Sequence, residues 1–467
     1  MSSEKLAVIL PSRDPVASNG ADFDILGPVL PSSITLTNYR SFAGPVRLEL
    51  RPITLLFGAN NSGKSALLRA LPLLSDSIQT AAGPLDLESP AVRGSSFQDL
   101  RWKGIQEDED PDLGIELCWK GVEHAARVEY RLTWFEEWRR LIIRRLSVWD
   151  REGRVEWDAA WRPLPEERSS VRLTYEIRTP NDEPAAPDRL TFLGLSPESQ
   201  VRSTLLEPLR SRLQDLQSSV QWLMAPRQLG NRIYPCPPSP RTLMRPDGSD
   251  APSLLGGSPE CLSEVSAWYE KTLRRRLRVQ DVSPGRFRLM LQHVERAVFE
   301  TDLAENGEGP IQVLPVLTAL ALTRSGQGPR ILAIEQPESQ LNPALQRALA
   351  EQVSDVAAAS PDSRIVLETH SEHLLLGVQL QIMREKIRPE DVLIYWVRQL
   401  GNGESVADPV TLDENARLQG RWPPGVFSEN TEVAREILQA RRDREQAWSP
   451  AARVEPEELL KSRHAGP

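Results

Sequence analysis

Residues 58–65 constrain this chain more than any other stretch. Gly58, Ala59, Asn60, Asn61, Ser62 and Gly63 set two glycines four residues apart, and Lys64 and Ser65 follow at once. The flanks matter as much as the pattern. Ile53, Leu55, Leu56 and Phe57 read as a short buried strand, and Ala66, Leu67, Leu68, Ala70 and Leu71 open a helix that Pro72 is expected to end or kink. Strand, glycine loop and helix N-terminus make an anion cradle from backbone N–H groups and the helix dipole. Lys64 is then expected to reach the β- and γ-phosphates of a nucleoside triphosphate. Ser65 offers its hydroxyl to Mg²⁺, and residues 58–66 wrap the phosphates.

Composition narrows the setting. The chain has 467 residues, room for two or three domains or for one large head with an insertion. Its net charge of -9 argues against general nucleic-acid affinity, so any DNA contact needs a local basic patch. Three scattered cysteines fit a reducing, cytoplasmic compartment rather than a disulfide framework or a zinc site. No stretch approaches the apolar length that spans a membrane, and no signal peptide opens the chain.

Along the chain, residues 1–32 read as an extension and 33–104 as the first part of a head. Residues 105–300 read as a β-rich and helical insertion, 301–400 as the second part of the head, and 401–467 as a C-terminal segment. Loops from 84 to 110 turn acidic near Glu107. Alternation at Val128, Tyr130, Leu132 and Trp134, and at Val171, Leu173, Tyr175 and Ile177, predicts strands, with a hairpin turn at 150–153. A charged, proline-rich linker is expected within 160–190. Leu205, Leu206, Leu209, Leu213 and Leu216 give helical spacing between Ser199 and Trp222, 226–259 reads as irregular, and a helix from Leu262 is expected to run into Arg274 to Arg278. The last third alternates strand and helix, which implies a mainly parallel sheet.

A phosphate loop needs partners. The apolar run Ile331, Leu332, Ala333, Ile334 delivers Glu335 to the carboxyl edge of the sheet, where it is expected to help hold Mg²⁺. Gln336 follows where water-activating machinery would place a carboxylate. An amide orients water but cannot take its proton, so either Glu338 reaches back as base or hydrolysis is slow. Thr369, His370 and Ser371 follow the next buried run, so His370 either senses the γ-phosphate or merely sits beside a helix-capping Ser371. Asn306, Gly307, Glu308 and Gly309 precede a helix expected near Gln312; this is a second phosphate contact or a simple loop.

In this order the motifs resemble the ABC-class ATPase heads of the RecF, OLD and SMC-like group. Asn38, Tyr39, Arg40, Ser41 and Phe42 look like its opening strand motif, whose basic residue, here Arg40, approaches the nucleotide. Ile334 to Glu338 with Leu341 and Pro343 is similar to its fused Walker B and D-loop, and Glu368 to His373 to its switch histidine. The form of these motifs, with Trp422, Pro423, Pro424, Gly425, Val426 and Phe427, is similar to a bacterial subgroup with an uncharacterised C-terminal domain, often found in anti-phage defence. Within it a glutamine at position 336 is usual.

The resemblance implies an α/β fold, a P-loop NTPase head of ABC type with a mainly parallel sheet plus an antiparallel β-subdomain. It implies ATP and Mg²⁺ as cofactors and a homodimer that sandwiches two nucleotides. Across that interface Gly307, Gly309, Gln312 and Asn342 are the expected trans-contacts, although Ile311 stands where the signature has serine. Gln98, within Ser96 to Asp99, corresponds to a Mg²⁺ or water ligand. The resemblance further implies a protein effector such as a nuclease. The 97 residues after His370 are expected to be too few to hold one, so it would be a separate chain. Arg274, Arg275, Arg276 and Arg278, with Arg139, Arg140, Arg144 and Arg145, are the candidates for a DNA-facing patch. The other reading is solvated faces. The tryptophans at 134, 138, 149, 157 and 161 read as core or as a partner-docking surface. An ATP-driven switch, a non-hydrolysing ATP-bound scaffold and a RecF-type DNA-repair clamp all remain open on these residues.

Overall fold

The computed structural model describes residues 29–104, 112–162, 173–180, 188–199, 203–228, 231–236, 242–423, 426–427, 437 and 439–442. Most of the expected N-terminal extension, the acidic run at 107–110, Val171, Pro424, Gly425 and the residues after 442 lie outside these limits.

Five short apolar runs form the body of the main sheet: β1 (Ile53–Gly58), β2 (Val220–Leu223), β3 (Ile331–Glu335), β4 (Arg364–Glu368) and β5 (Val392–Gln399). They pair in parallel in the order β2-β3-β4-β1-β5, and Ser405–Leu412 and Leu418–Gly420 extend the sheet antiparallel beyond β5. Both faces are covered, which is why the runs are apolar throughout rather than alternating. Leu56, Ala333 and Val366 face Leu67, Leu68 and Leu71 of α1 (Lys64–Asp76). Ile53, Leu55, Leu332, Ile334, Ile365 and Leu367 face the other way, against α2 (Glu308–Arg324), α3 (Pro343–Ala359) and α4 (Glu372–Met383). Asn342 and Ser371 cap α3 and α4, accepting from Leu345 and Leu374.

A nine-stranded antiparallel sheet packs on the α1 side. Here the expected boundary at residue 105 does not hold as a structural break. Ser33–Thr37 pairs with Val46–Glu49 on one side and with Leu113–Cys118 on the other, so the first strands of the head and the β-rich middle are one sheet. The alternation of apolar and polar residues gave the strands Arg127–Phe135 and Leu173–Arg178 but not their membership of one sheet with the first strands of the head. Together the parallel body and this antiparallel sheet make the mixed α/β head expected from the sequence.

Three local expectations are corrected. Pro72 neither ends nor interrupts α1, which continues to Asp76; burial of Leu71, Leu73 and Leu74 outweighs the lost backbone bond. The residues just before Trp222 leave the helix at Ser219 and become β2, a fifth parallel strand. The Arg274 cluster is not helical: its helix stops at Leu273, Arg274 adopts the left-handed conformation, and Arg275–Ser283 forms a hairpin with Arg286–His293. Leu277 points inward between exposed Arg276 and Arg278, a period of two.

Gly377 lets α3 and α4 approach: a Cβ there would lie 2.5 Å from the Cβ of Ala350. Gly377→Val is therefore expected to destabilise the fold by about 1–3 kcal/mol, the usual range for overpacking. Ala350→Gly in the same chain should recover part of the loss, as read from urea midpoints.

Candidate functional site

The loop after β1 is shaped by two glycines. Gly58 has φ 149°, and a Cβ on it would strike the Val397 carbonyl oxygen at 2.0 Å; Gly63 has φ 105° and lies against Phe42 and Ser41. Gly63 also occupies the N-cap of α1, and no side chain caps that helix, so its first N–H groups face the loop's concavity. Ala59, Asn60 and Asn61 are exposed, with Asn61 at positive φ, whereas Ser62 is buried and its hydroxyl has no hydrogen-bond partner among the described residues.

Lys64 folds back into the loop, donating to the carbonyls of Gly58 (2.9 Å) and Ala59 (2.7 Å). Burial pulls its ammonium below the ordinary lysine range, partly countered by Glu368. Ser65 Oγ donates to Glu368 Oε1 at 2.8 Å. Glu368 ends β4, directly between β1 and β3, and Glu335 ends β3 in register with it. Burial, then the nearby Glu335 charge, raises the Glu368 carboxyl above its usual range against the lowering hydrogen bond from Ser65. Its second oxygen, Oε2, is buried without a partner among the described residues.

Glu335 is engaged differently. Arg69 grips both its oxygens, Nε to Oε1 at 2.6 Å and Nη2 to Oε2 at 2.8 Å; Trp222 Nε1 donates to Oε1 at 3.2 Å, and Arg93 lies 3.6 Å from Oε2. Gln336 has φ 41° and is half-buried; its N–H donates to the Glu368 carbonyl. Glu338 is buried; its Oε1 accepts from the His370 N–H at 2.8 Å and its Oε2 has no partner among the described residues. Burial raises its carboxyl above the ordinary range. The His370 imidazole is exposed and is lowered by partial desolvation and then by Lys64.

Arg227 holds this edge from beneath. It is 2% exposed and donates to the carbonyls of Gln312, Glu335 and Gln336, each at 2.9 Å. Burial brings it down to about 10. Gln312 answers with its amide: Oε1 accepts from the Arg227 N–H and Nε2 donates to the Arg227 carbonyl. Gln312, expected as a trans-contact, thus has both ends of its buried amide engaged within its own chain. Helix α2 begins at Glu308 rather than near Gln312, so Gly309 and Ile311 fall in its first turn. A Cβ on Gly309 would lie 2.9 Å from the Gln340 carbonyl, whereas Gly307 is exposed with open space around it. Asn342 is exposed, but its Oδ1 is taken by the α3 cap.

Two expected ligands point elsewhere. Arg40 donates to Ser95 Oγ and the Val92 carbonyl, bracing the loop that carries Arg93. Gln98 is exposed, and its Oε1 accepts from Arg101 at 3.5 Å. Trp422 and Phe427 pack edge-on against Phe57, so that C-terminal motif buttresses the strand entering the phosphate loop. Trp157 is core, and Phe135, Trp138 and Trp161 form one edge-to-face cluster. Arg69, Arg93, Arg227, Trp222 and the role of Glu368 escaped the sequence reading. Glu368 carried a usable signal, since it ends an apolar run just as Glu335 does.

The residues fit a magnesium nucleotide. Among the described residues no three His, Cys, Asp or Glu side chains cluster to hold a metal alone. Ser65 Oγ and the unpartnered Glu368 Oε2 are hard oxygen donors beside an anion cradle, and Mg²⁺ takes one or two such groups together with phosphate oxygens. Among the described residues no helix is long and apolar enough to cross a membrane.

Comparison with known proteins adds two family matches. Residues 32–111 match a family described as an AAA ATPase domain, and residues 264–376 match one described as "AAA domain, putative AbiEii toxin, Type IV TA system". Both belong to AAA ATPases, and they flank the β-rich middle on either side. No curated protein matches the chain in sequence. Solved structures similar to it include the SMC head domain from Thermotoga maritima (13% identity, TM-score 0.41, covering 82% of this chain and 99% of that one). A second is an SMC head bound to the C-terminal winged-helix domain of ScpA (14%, 0.45, 82% and 98%). A third is an SMC head with an extended coiled coil bound to the C-terminal domain of ScpA, derived from Pyrococcus furiosus (12%, 0.43, 88% and 99%).

Arg227→Met is expected to cost more than about 2 kcal/mol, since two buried carbonyls and one partly buried carbonyl lose their donor at once; chemical denaturation measures it. A second prediction concerns pH. Glu338 is raised above its ordinary 4.5, so the stability linked to its protonated form is present below pH 4.5 and is lost as pH rises through the folded value. Glu338→Gln should therefore be more stable than the parent at pH 7 and equal to it below pH 4.5. A less stable variant at pH 7 would mean that attraction to Arg227 outweighs burial.

Proposed function

We propose that this chain binds Mg·ATP in the loop at residues 58–65 and hydrolyses it slowly, acting as a molecular switch that pairs two heads and controls a partner effector. The observation that carries the reading is the convergence of Lys64, Ser65, Glu335, Glu368 and His370 on one edge of a parallel sheet. The AAA ATPase matches on both sides of the middle region support ATP as the nucleotide. The description of the family matched at residues 264–376 supports a toxin–antitoxin setting; we extend it to anti-phage defence or DNA maintenance, with the effector, such as a nuclease, on another chain.

In this reading the bound ion supplies charge neutralisation for the phosphates. Lys64 would exchange its two loop carbonyls for phosphate oxygens, the N–H groups at the start of α1, which no side chain caps, would receive the β-phosphate, and exposed His370 would meet the γ-phosphate. Glu338 would hold water through its Oε2, which has no hydrogen-bond partner among the described residues. Exposed Gly307 and the first turn of α2 remain available to a second head, and ATP closes the pair only by binding the closed state more tightly.

A scaffold that keeps its ATP is a second reading, favoured by Gln336 at the catalytic position and by the Arg69 grip on Glu335. A RecF-type DNA clamp draws on the arginine hairpin, where Arg276 is paired with Glu270 and Arg278 with Gln292.

Lys64→Ala is expected to weaken ATP binding roughly 100-fold or more, the scale of losing a buried charged contact. Equilibrium titration with a fluorescent ATP analogue checks this, and undiminished binding would refute the site. Phosphate release over many turnovers separates switch from scaffold: turnover above the Lys64→Ala background supports the switch, and none, with ATP bound, supports the scaffold.

A further inference from the structure

We infer that Glu368, and not Glu335, is the carboxylate that faces the magnesium ion of the bound nucleotide in this chain. The inference rests on the reading of residues 58–65 as an ATP site and goes beyond it by assigning the ion's protein ligands.

Position comes first. β4 lies next to β1, and β3 lies one strand further out, so Glu368 is the nearer acid to the phosphate loop. The hydroxyl of Ser65, the loop residue that offers oxygen to the ion, is already within 2.8 Å of Glu368 Oε1.

Occupancy is the second argument. A carboxylate has about four acceptor positions. On Glu335 the bidentate Arg69 fork and the Trp222 indole fill three, and Arg93 approaches the fourth side. A guanidinium fork on a carboxylate is a strong, geometrically fixed pair, and a cation displacing it would meet two like charges. Glu368 has the opposite character. Among the described residues its one side-chain hydrogen bond comes from Ser65, and its Oε2 is buried with no partner. A buried charged oxygen left unmatched is costly enough to need an explanation, and a hard cation beside it is a chemically apt one.

Glu335 then acquires a different task. With Arg69 it forms a charge-neutral pair that fixes α1 to β3, and Arg93 adds a positive charge beside that pair.

The test uses the full chain and titrates ATP in the presence of Mg²⁺ and in EDTA, comparing the parent with Glu368→Gln, Glu335→Gln and Lys64→Ala. The parent is expected to gain affinity from Mg²⁺. Glu368→Gln should lose roughly 10- to 100-fold of Mg²⁺-dependent affinity while keeping its affinity for metal-free ATP. Glu335→Gln should keep most of the gain. The EPR spectrum of Mn²⁺·ATP should change on binding to the parent and should change differently on binding to Glu368→Gln. If Glu368→Gln does not fold, Glu368→Asp, which retains charge at a shorter reach, is expected to give a partial loss of the same gain. A Mg²⁺ gain that survives in the Glu368 variants and disappears in Glu335→Gln would overturn the assignment, as would a parent that binds ATP equally well with and without Mg²⁺. If the parent binds no ATP, or Lys64→Ala binds as the parent does, the ATP site itself falls and this assignment with it.

Discussion

Parallel pairing of β4 beside β1 is the constraint on which the rest of the site depends. Its register sets Glu368 opposite Leu56, two residues short of the phosphate loop, and the next register sets Glu335 opposite Glu368. Because all three strands run the same way, their carboxyl ends emerge together, and side chains far apart in sequence meet without a dedicated binding loop. Apolar burial on both faces holds this alignment. A one-residue slip of β4 would exchange Val366 for Ile365 and Leu367 on the wrong face and would turn Glu368 away from Ser65.

The same edge concentrates charge that water does not reach. Lys64, Glu335, Glu338, Glu368 and Arg227 are all buried, and the structure resolves them into distinct partnerships rather than one pool. Arg69 answers Glu335, Ser65 touches Glu368, and Arg227 binds main-chain carbonyls instead of carboxylates. Arg227 thereby joins the turn after β3 to the first turns of α2 through Gln312. The start of α2, where the resemblance led us to expect trans-contacts, and the segment that carries the acids are thus one hydrogen-bonded unit. A displacement of either is expected to be felt by the other.

Much of this was legible before any coordinates. The phosphate loop, its strand and its helix follow from glycine spacing and apolar runs, and Ser371 declared its helix as a cap. What escaped did so for identifiable reasons. Arg227 follows Pro226 in a stretch without periodicity, so nothing local announces a buried guanidinium. β2 is four residues long and directly follows a helix, and a short apolar run of that kind looks the same in either state. Arg69 lies on α1 among apolar residues, and only tertiary structure says that it faces Glu335. The arginine hairpin was misread because a run of arginines masks its period of two. Gln312 matched a pattern by identity, but its burial could not be known from spacing.

The central claim is that a triphosphate rests on the backbone of residues 58–65 with its magnesium ion against Ser65 at the sheet's carboxyl edge. The most direct measurement is a crystal structure of the full chain with Mg²⁺ and a non-hydrolysable ATP analogue. The account predicts phosphate oxygens on the loop N–H groups and on Lys64 Nζ. It also predicts the ion beside Ser65 Oγ. Analogue density elsewhere on the molecule, with Lys64 still bonded to the carbonyls of Gly58 and Ala59, would contradict it.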